Sequence, residues 1–330
     1  MKKSDFQYFR TRIESLFEGG SSFEILAIEI FHFQAARNPV YKKFIQLIGI
    51  EPFEIEKLTQ IPFLPISFFK NKEVKSSDWK AEKIFQSSGT TGQTRSRHQV
   101  LSLDFYHSIS ARIFENRIGN LADFQIIGLL PTYLENPDSS LISMVKAFGI
   151  RSGLEARFCG LDFNLFSQLL ERAREAKKKI LIFSVTYALI KLIDTHQFDL
   201  SDCIVIETGG MKGLGTEISK NEVIEKLQNQ LKMKDLYSEY GMTELLSQAY
   251  AKPELFHLPP TLKVFVRDID DPFKVSEMGR GAANIIDLAN FATCSFIGTD
   301  DLCEVGLVGN FQILGRLNGS DLRGCNLLFG

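Results

Sequence analysis

Short apolar runs that alternate with amphipathic helices constrain the fold of this sequence more than any other feature. The apolar runs fall at residues 124–130, 179–183 and 203–207, and the clearest helical patterns at residues 163–178 and 220–231. Runs of this length that alternate with helices are typical of buried parallel strands in an α/β fold. We therefore expect a sheet with helices packed against it.

The length of the chain and its changing pattern predict more than one structural unit. At 330 residues the chain exceeds the size at which a single core usually stops growing. Residues 1–80 have mainly helical spacing, with a capping box from Ser21 to Glu24, and residues 81–255 form the α/β core. Short β-like segments at residues 262–267, 283–288, 294–298 and 310–314, separated by Gly and Asp, predict a smaller antiparallel subdomain at residues 256–330.

Composition excludes several classes of function. The formal net charge of −2 gives no electrostatic reason to expect a nucleic acid partner, and no apolar run is long enough to span a membrane. The five cysteines are odd in number and form no Cys-x-x-Cys pair. This usage indicates neither a zinc site nor a disulfide framework, and it favours a reducing, cytoplasmic location.

A run of small residues at positions 87–92 has the composition of a phosphate-binding loop. Glycine backbone at Gly89 and Gly92 can turn several N–H groups toward one point. Hydroxyl donors stand at Ser87, Ser88, Thr90 and Thr91, and Arg95 and Arg97 follow as possible partners for a polyphosphate. The run matches neither the Walker motif nor the dinucleotide fingerprint. A solvent-exposed linker has the same composition and stays open as the alternative.

A second motif, Tyr-Gly-Met-Thr-Glu at residues 240–244, places nucleotide-binding chemistry within five residues. Tyr240 can stack on a purine, and Gly241 allows the backbone to approach a ligand. Thr243 can donate to a phosphate oxygen, and Glu244 offers the hard oxygen ligands that Mg²⁺ prefers. On its own the string also fits a strand end followed by a helix cap.

A third motif, Thr-Asp-Asp at residues 299–301, ends an apolar strand and is followed by Gly315 and Arg316. The Asp301 carboxylate can accept hydrogen bonds from both ribose hydroxyls, and the forked guanidinium of Arg316 suits the α-phosphate. A charged hairpin turn is the alternative for this pattern.

These motifs, in this order, resemble the adenylate-forming superfamily of acyl-CoA synthetases and luciferases. Within it, five further segments are similar to the acyl-protein synthetase family of LuxE type, with phenylacetate-CoA ligases as more distant relatives. They are residues 61–65, 130–135, 207–213, 286–290 and 322–325, so the resemblance extends from residue 60 to the end of the chain.

The resemblance implies the large-domain fold of adenylate-forming enzymes, with mixed sheets, flanking helices and a small β subdomain. It implies ATP- and Mg²⁺-dependent conversion of a carboxylic acid, expected to be a fatty acid, into an acyl-adenylate. Residues 87–92 would then hold the β- and γ-phosphates, Gly209, Gly210 and Tyr240 would frame adenine, Thr243 and Arg316 would act at the α-phosphate, Glu244 would bind magnesium, and Asp301 the ribose.

The sequence departs from the superfamily pattern at two places. The phosphate loop continues into Gln-Thr-Arg-Ser-Arg rather than Pro-Lys, which leaves open whether Arg95 or Arg97 supplies the cation. The sequence ends fourteen residues after Arg316, where superfamily members continue into a C-terminal lid domain, so we expect a chain without that lid.

The resemblance also implies that Cys325 receives the acyl group as a thioester on a mobile tail and passes it to a partner protein, such as a reductase or an acyl carrier protein. Two alternatives stay open. In the first, Cys325 is structural and the adenylate is handed to CoA or to an acyl carrier protein. In the second, the chain binds nucleotide without catalysis.

Overall fold

The structure is a computed structural model that describes residues 1–88, 94–131, 136–209, 220–252, 254–307 and 309–317. Its α-helices are α1 (Lys3–Ser15), α2 (Phe23–Arg37), α3 (Pro39–Leu47), α4 (Phe68–Asn71), α5 (Leu103–Arg117), α6 (Ser140–Arg151), α7 (Phe163–Glu175), α8 (Thr186–Thr195) and α9 (Lys220–Gln230). None of the helices in this described part is both long enough and apolar enough to cross a membrane.

The strands are β1 (Leu64–Pro65), β2 (Lys83–Gln86), β3 (Arg97–Val100), β4 (Phe124–Leu129), β5 (Arg157–Phe158), β6 (Lys179–Val185), β7 (Cys203–Thr208), β8 (Asp235–Tyr240), β9 (Ala249–Ala251), β10 (Phe256–His257), β11 (Leu262–Arg267), β12 (Val275–Ser276), β13 (Gly279–Asp287), β14 (Phe296–Val305) and β15 (Phe311–Arg316).

Almost all of these strands belong to one mixed sheet. Its order is β12-β11-β13-β14-β15-β10-β9-β8-β7-β6-β4-β5, and β1 lies parallel on β14. From β5 to β8 the pairs are parallel, and from β8 to β12 they are antiparallel. Strands β2 and β3 form a separate antiparallel hairpin. The prediction of an α/β fold with a mixed sheet is confirmed.

The parallel strands form where the apolar runs predict them. Strands β4, β6 and β7 are buried along almost their whole length, as expected for strands that helices cover on both faces. Two of the helices that connect these strands, α6 and α7, begin at side-chain caps. The Asp162 carboxylate accepts from the Leu165 N–H at the start of α7, and the Ser139 hydroxyl accepts from Ile142 N–H at the start of α6.

Two local predictions are wrong by a few residues. Ser22, not Ser21, caps α2 through the Ile25 N–H, because the Ser21 hydroxyl is bound to Ser15 at 2.7 Å. The strand predicted from Cys294 begins only at Phe296, since Leu288–Ala292 forms a 3-10 turn and the chain leaves it through Thr293 in a non-helical conformation. This turn, the 288–292 turn, lies beside the candidate site.

The N-terminal helices are tied to the 288–292 turn by buried amide side chains. Gln34 of α2 donates through Nε2 to the carbonyl oxygen of Asn290 at 3.1 Å. Asn38 donates through Nδ2 to the carbonyl oxygen of Thr293 at 2.8 Å, while its Oδ1 caps α3. Both side chains are fully buried. Side chains of α2 and of the junction between α2 and α3 thus hold the turn in place.

Candidate active site

The base of the predicted phosphate loop is the end of the β2–β3 hairpin. Gln86 lies opposite Arg97, and the Ser87 N–H donates to the Ser96 carbonyl at 3.1 Å. The Ser87 hydroxyl accepts from the Ser96 N–H at 2.9 Å, so it closes the base of the loop, and half-buried Ser88 follows it. Gly89, Thr90, Thr91 and Gly92 lie outside the described residues.

His98 connects this hairpin to the second motif. It is fully buried; its Nδ1 donates to the Thr243 carbonyl oxygen at 2.8 Å, and its Nε2 lies 3.1 Å from the Thr293 hydroxyl. Burial lowers the pKa of His98 to about 4, because the charged ring would lose its hydration. His98 is therefore neutral at physiological pH, and it positions the hairpin against Thr243.

The second motif begins at the end of β8 with Tyr240. The Tyr240 hydroxyl donates to Asp301 Oδ2 at 2.9 Å, and the ring makes edge contacts with Phe256 and Phe311. Burial, and then the neighbouring Asp301 charge, raise the pKa of Tyr240 well above its usual value. The phenol consequently stays protonated as a donor to Asp301.

Asp301 and Arg316 lie directly opposite each other on β14 and β15. Arg316 Nε is 3.0 Å from Asp301 Oδ1, and Arg316 Nη2 is 3.3 Å from Asp300 Oδ2. Only 13% of the Arg316 side chain and 17% of the Asp301 side chain are exposed. Tyr240, Asp301 and Arg316, which are distant in sequence, therefore form one contiguous polar group.

Residues outside the second motif hold the backbone of Thr243 and Glu244 in place. Asn290 of the 288–292 turn donates through Nδ2 to the Glu244 carbonyl at 2.8 Å, next to the contact of His98 with Thr243. The Glu244 side chain is buried. The buried Asp287 carboxylate accepts the N–H groups of Leu246 and Ser247, which fixes the turn that follows.

Polar side chains also meet at the carboxyl ends of the parallel strands. Glu207 on β7 accepts from the hydroxyls of Thr186 and Ser238, both buried. On the next strand Glu239 accepts from the Thr208 hydroxyl at 2.5 Å. Burial and, less strongly, the charge of Glu207 raise the pKa of Glu239 to about 7. This edge is where open α/β sheets bind ligands.

Gly241 follows Glu239 and Tyr240 at this edge and has no room for a side chain. A Cβ atom placed there would lie 2.3 Å from Glu239 Oε1. Gly209, at the end of β7, has φ of +99°, a backbone conformation that favours glycine. Gly241 and Gly209 therefore each have a local structural reason to be glycine. Gly210 lies outside the described residues.

The structure brings several sequence-predicted residues together. Tyr240, Asp301 and Arg316 contact each other, and Thr243 lies against the base of the phosphate loop through His98. Cys325 lies outside the described residues. The motifs gave no role to the polar residues that hold the site in place, which are Glu207, Glu239, Asp287, Asn290 and His98. Glu207, Asp287 and Asn290 lie in segments that carry the family resemblance, and Glu207 and Glu239 stand at strand ends, which are the signals that pointed to them.

Comparison with known proteins identifies one family. A family model described as acyl-protein synthetase, LuxE, matches residues 21–330. No curated protein sequence matches the chain at a significant level.

Solved structures of adenylate-forming enzymes share the fold. ATP-bound MatB from Rhodopseudomonas palustris is 12% identical with a TM-score of 0.53, over 73% of this chain and 49% of that chain. The amide bond synthetase McbA from Marinactinospora thermotolerans is 15% identical with a TM-score of 0.52, over 74% and 51%. O-succinylbenzoate CoA synthetase (MenE) from Bacillus subtilis, in complex with ATP and magnesium, is 16% identical with a TM-score of 0.52, over 76% and 54%. The chain therefore spans about half the length of these structures.

Proposed function

Because this chain belongs to the acyl-protein synthetase family of LuxE type, we propose that it activates a carboxylic acid with ATP and passes the acyl group to a thiol. In the first step a carboxylate oxygen attacks the α-phosphorus, an acyl-adenylate forms and pyrophosphate leaves. In the second step a thiolate attacks the acyl carbonyl, the C–S bond of a thioester forms, and AMP leaves with the electron pair of the broken C–O bond.

The convergence of Tyr240, Asp301 and Arg316 is the observation that carries this proposal. A carboxylate held between a phenol donor and a guanidinium is preorganised to accept from ribose hydroxyls. The cation beside it provides positive charge for the α-phosphate. Such a site accelerates phosphoryl chemistry mainly by positioning and charge neutralisation. Ser87 and Ser88 lie at the entrance of the loop that would hold the outer phosphates, and Gly209 would border adenine.

Magnesium fits the carboxylate that the motif provides. No group of three or more His, Cys, Asp or Glu side chains within the described ranges is arranged to hold a metal ion. Mg²⁺ in nucleotide sites, however, is commonly held by one or two carboxylates together with the phosphates and water. The Glu244 carboxylate is the oxygen donor we assign to it. When bound, the ion would neutralise charge on the phosphates.

Cys325 is the thiol that we propose as the acyl acceptor. The four cysteines that the structure describes, Cys159, Cys203, Cys294 and Cys303, are all buried. Burial raises the pKa of each of these thiols to about 12. The thiolate is the nucleophile in thioester formation, so these four are unsuited to the reaction at neutral pH. The final acceptor would be a partner protein, a reductase or an acyl carrier protein.

Intact-protein mass spectrometry tests the proposal directly. We expect incubation with ATP, Mg²⁺ and a panel of fatty and aryl acids to add one acyl mass that hydroxylamine removes. Cys325→Ser should lack the adduct, and Cys159→Ser, which alters a buried thiol, should retain it. Acid-dependent exchange of pyrophosphate into ATP reports the first step alone. Exchange without an adduct would refute self-acylation, and the absence of exchange with every acid would refute adenylation.

A further inference from the structure

A groove with a strongly positive lining lies beside the phosphate-loop hairpin. It encloses about 600 Å³ between the hairpin strands β2 and β3 and the segment that runs from α4 to residue 81. Its lining includes five cations, which are Lys70, Lys72, Lys75, Lys80 and Arg97. We call this feature the basic groove.

The charge of the basic groove contrasts with the rest of the chain. The formal net charge of the whole sequence is −2, yet residues 70–97 contain seven Lys or Arg and only three Asp or Glu. The one carboxylate in the lining, Glu73, is 2.9 Å from Lys75 Nζ. Lys72, Lys80 and Arg97 are exposed to solvent. The groove therefore presents a local excess of accessible positive charge.

The basic groove is on the opposite face of the hairpin from the candidate active site. Side chains alternate between the two faces of a strand. On β3, buried His98 points inward to Thr243, whereas its neighbours Arg97 and Gln99 line the groove. A partner in the groove would thus lie against the hairpin without occupying the Tyr240, Asp301 and Arg316 group.

The character of the groove favours an acidic protein segment over other anions. Long, exposed cations along an open groove suit flexible carboxylates and give electrostatic steering. One face of the Trp79 ring is already covered, because Lys75 Nζ lies 5.7 Å from the ring centroid, so that face is not available for stacking a base. Nucleic acid binding needs a basic surface that follows the backbone over several phosphates, whereas the five cations here are confined to one groove.

We propose that the basic groove docks an acidic segment of a partner protein. Resting on the proposed function, we infer that this partner is the protein that receives the acyl group. Docking there would hold the acceptor against the hairpin whose other face carries His98 in contact with Thr243.

The sequence contains a built-in reporter for this proposal. Trp79 lines the groove and is the single tryptophan of the chain. Titration of the full chain with a short oligoglutamate peptide, without ATP or acid, should give a saturable change in tryptophan fluorescence that weakens as ionic strength rises. Lys72→Glu with Lys80→Glu should weaken the apparent affinity about tenfold or more. Lys177→Glu with Lys234→Glu, an equal charge change at exposed lysines elsewhere, should leave it unchanged.

Two outcomes of the fluorescence titration would overturn the proposal. Equal affinity in both double variants would show that the peptide does not use the groove. A tighter fluorescence response to pyrophosphate than to the peptide, with competition between them, would make the groove a small phosphate site.

Acid-dependent pyrophosphate exchange is measured on the same proteins. We expect Lys72→Glu with Lys80→Glu to retain it, and its loss would place the groove in the adenylation site instead. Absence of exchange in the wild type would refute the proposed function while leaving the peptide result to stand.

Discussion

At the scale of single residues, the candidate site depends on how Asp301 is held. Its two carboxylate oxygens contact different partners, Tyr240 at 2.9 Å and Arg316 at 3.0 Å. The ion pair with Arg316 adds attraction between full charges to the hydrogen bond from the Tyr240 hydroxyl. The side chain therefore has one orientation imposed by its neighbours before any ligand arrives.

Replacing Asp301 should weaken ATP binding more than replacing its neighbour. Asp301→Asn removes the charge that pairs with Arg316 and one acceptor for ribose, and we expect KM for ATP in pyrophosphate exchange to rise about thirtyfold, corresponding to about 2 kcal/mol. Asp300→Asn is the matched control, since it removes the neighbouring carboxylate, which accepts from Arg316 Nη2 at 3.3 Å but lies outside the pair of Tyr240 and Asp301. An equal effect of both variants would contradict a ribose-binding role for Asp301.

Glu239 should make the stability of the protein depend on pH. Its pKa is raised from 4.5 to about 7, chiefly by burial. The unfolded carboxyl ionises near its ordinary value, so between these two pH values the native state binds a proton that the unfolded state lacks. The stability that the protonated Glu239 contributes is fully present below pH 4.5 and is lost as the pH rises through about 7.

Glu239→Gln resembles the protonated carboxyl and should remove this loss. We expect the free energy of unfolding of the variant, relative to wild type, to increase by up to about 3 kcal/mol from about pH 5 to about pH 8. Denaturant unfolding at the two pH values measures it. Glu225→Gln on the exposed surface of α9 is the control. The same difference at both pH values would contradict the assignment.

The residues that contact each other in the candidate site could be predicted from motifs because their chemistry is local. Tyr240, Asp301 and Arg316 each stand in a short, characteristic string, and the structure brings all three together. His98 stands in no such string, and the segment 286–290 that contains Asn290 carries the family resemblance without indicating what this side chain contacts. Their roles depend on pairings across 145 and 46 residues of sequence. A single sequence contains no signal for contacts of that kind, since they arise only when the elements pack.

At the scale of elements, the turn after β8 depends on the absence of a side chain at Gly241. The Glu239 carboxylate lies where a Cβ would be, and its other oxygen is held by Thr208. Making room for a methyl group would require the carboxylate to move and that hydrogen bond to break. The glycine of the second motif therefore has a packing requirement as well as any role in letting a ligand approach.

Gly241→Ala should destabilise the protein by about 2 kcal/mol through overpacking. Adding Glu239→Ala removes the clashing oxygen, so the double variant should lose less stability than the sum of the two single variants. Chemical denaturation measures each free energy of unfolding. Gly306→Ala, where the nearest atom to the new Cβ is 3.7 Å away, should change it by less than about 0.5 kcal/mol. Strict additivity in the Gly241 and Glu239 pair would rule out the clash.

Strands and helices could be predicted where the burial of their residues determined the pattern of apolar side chains in the sequence. The runs at residues 179–183 and 203–207 became β6 (Lys179–Val185) and β7 (Cys203–Thr208), because strands covered on both faces are apolar throughout. The 288–292 turn was not predictable, since its residues are as apolar as a strand. Side chains from α2 and the Asp287 cap give it its conformation.

At the scale of the whole molecule, contacts link the N-terminal helices to the site through one turn. Asn38 holds the Thr293 carbonyl, the Thr293 hydroxyl contacts His98, and Asn290 of the same turn holds the Glu244 carbonyl. The sequence predicts residues 1–80 as a separate region. The buried amides provide a way to determine whether that region unfolds on its own.

Asn38→Asp should disturb the site through the turn that connects the N-terminal helices to it. The substitution keeps an acceptor for the cap of α3 but places a carboxylate oxygen against the Thr293 carbonyl, so we expect a loss of about 2 to 3 kcal/mol in the free energy of unfolding. Asn120→Asp, at an exposed cap that accepts from the Ala122 N–H, is the control.

Amide hydrogen exchange in Asn38→Asp should rise across residues 288–295 and at residues 244–247, because the turn and the second motif share hydrogen bonds. Exchange that rises only within α2 and α3 would instead show that the first eighty residues open as an independent unit, with the site intact.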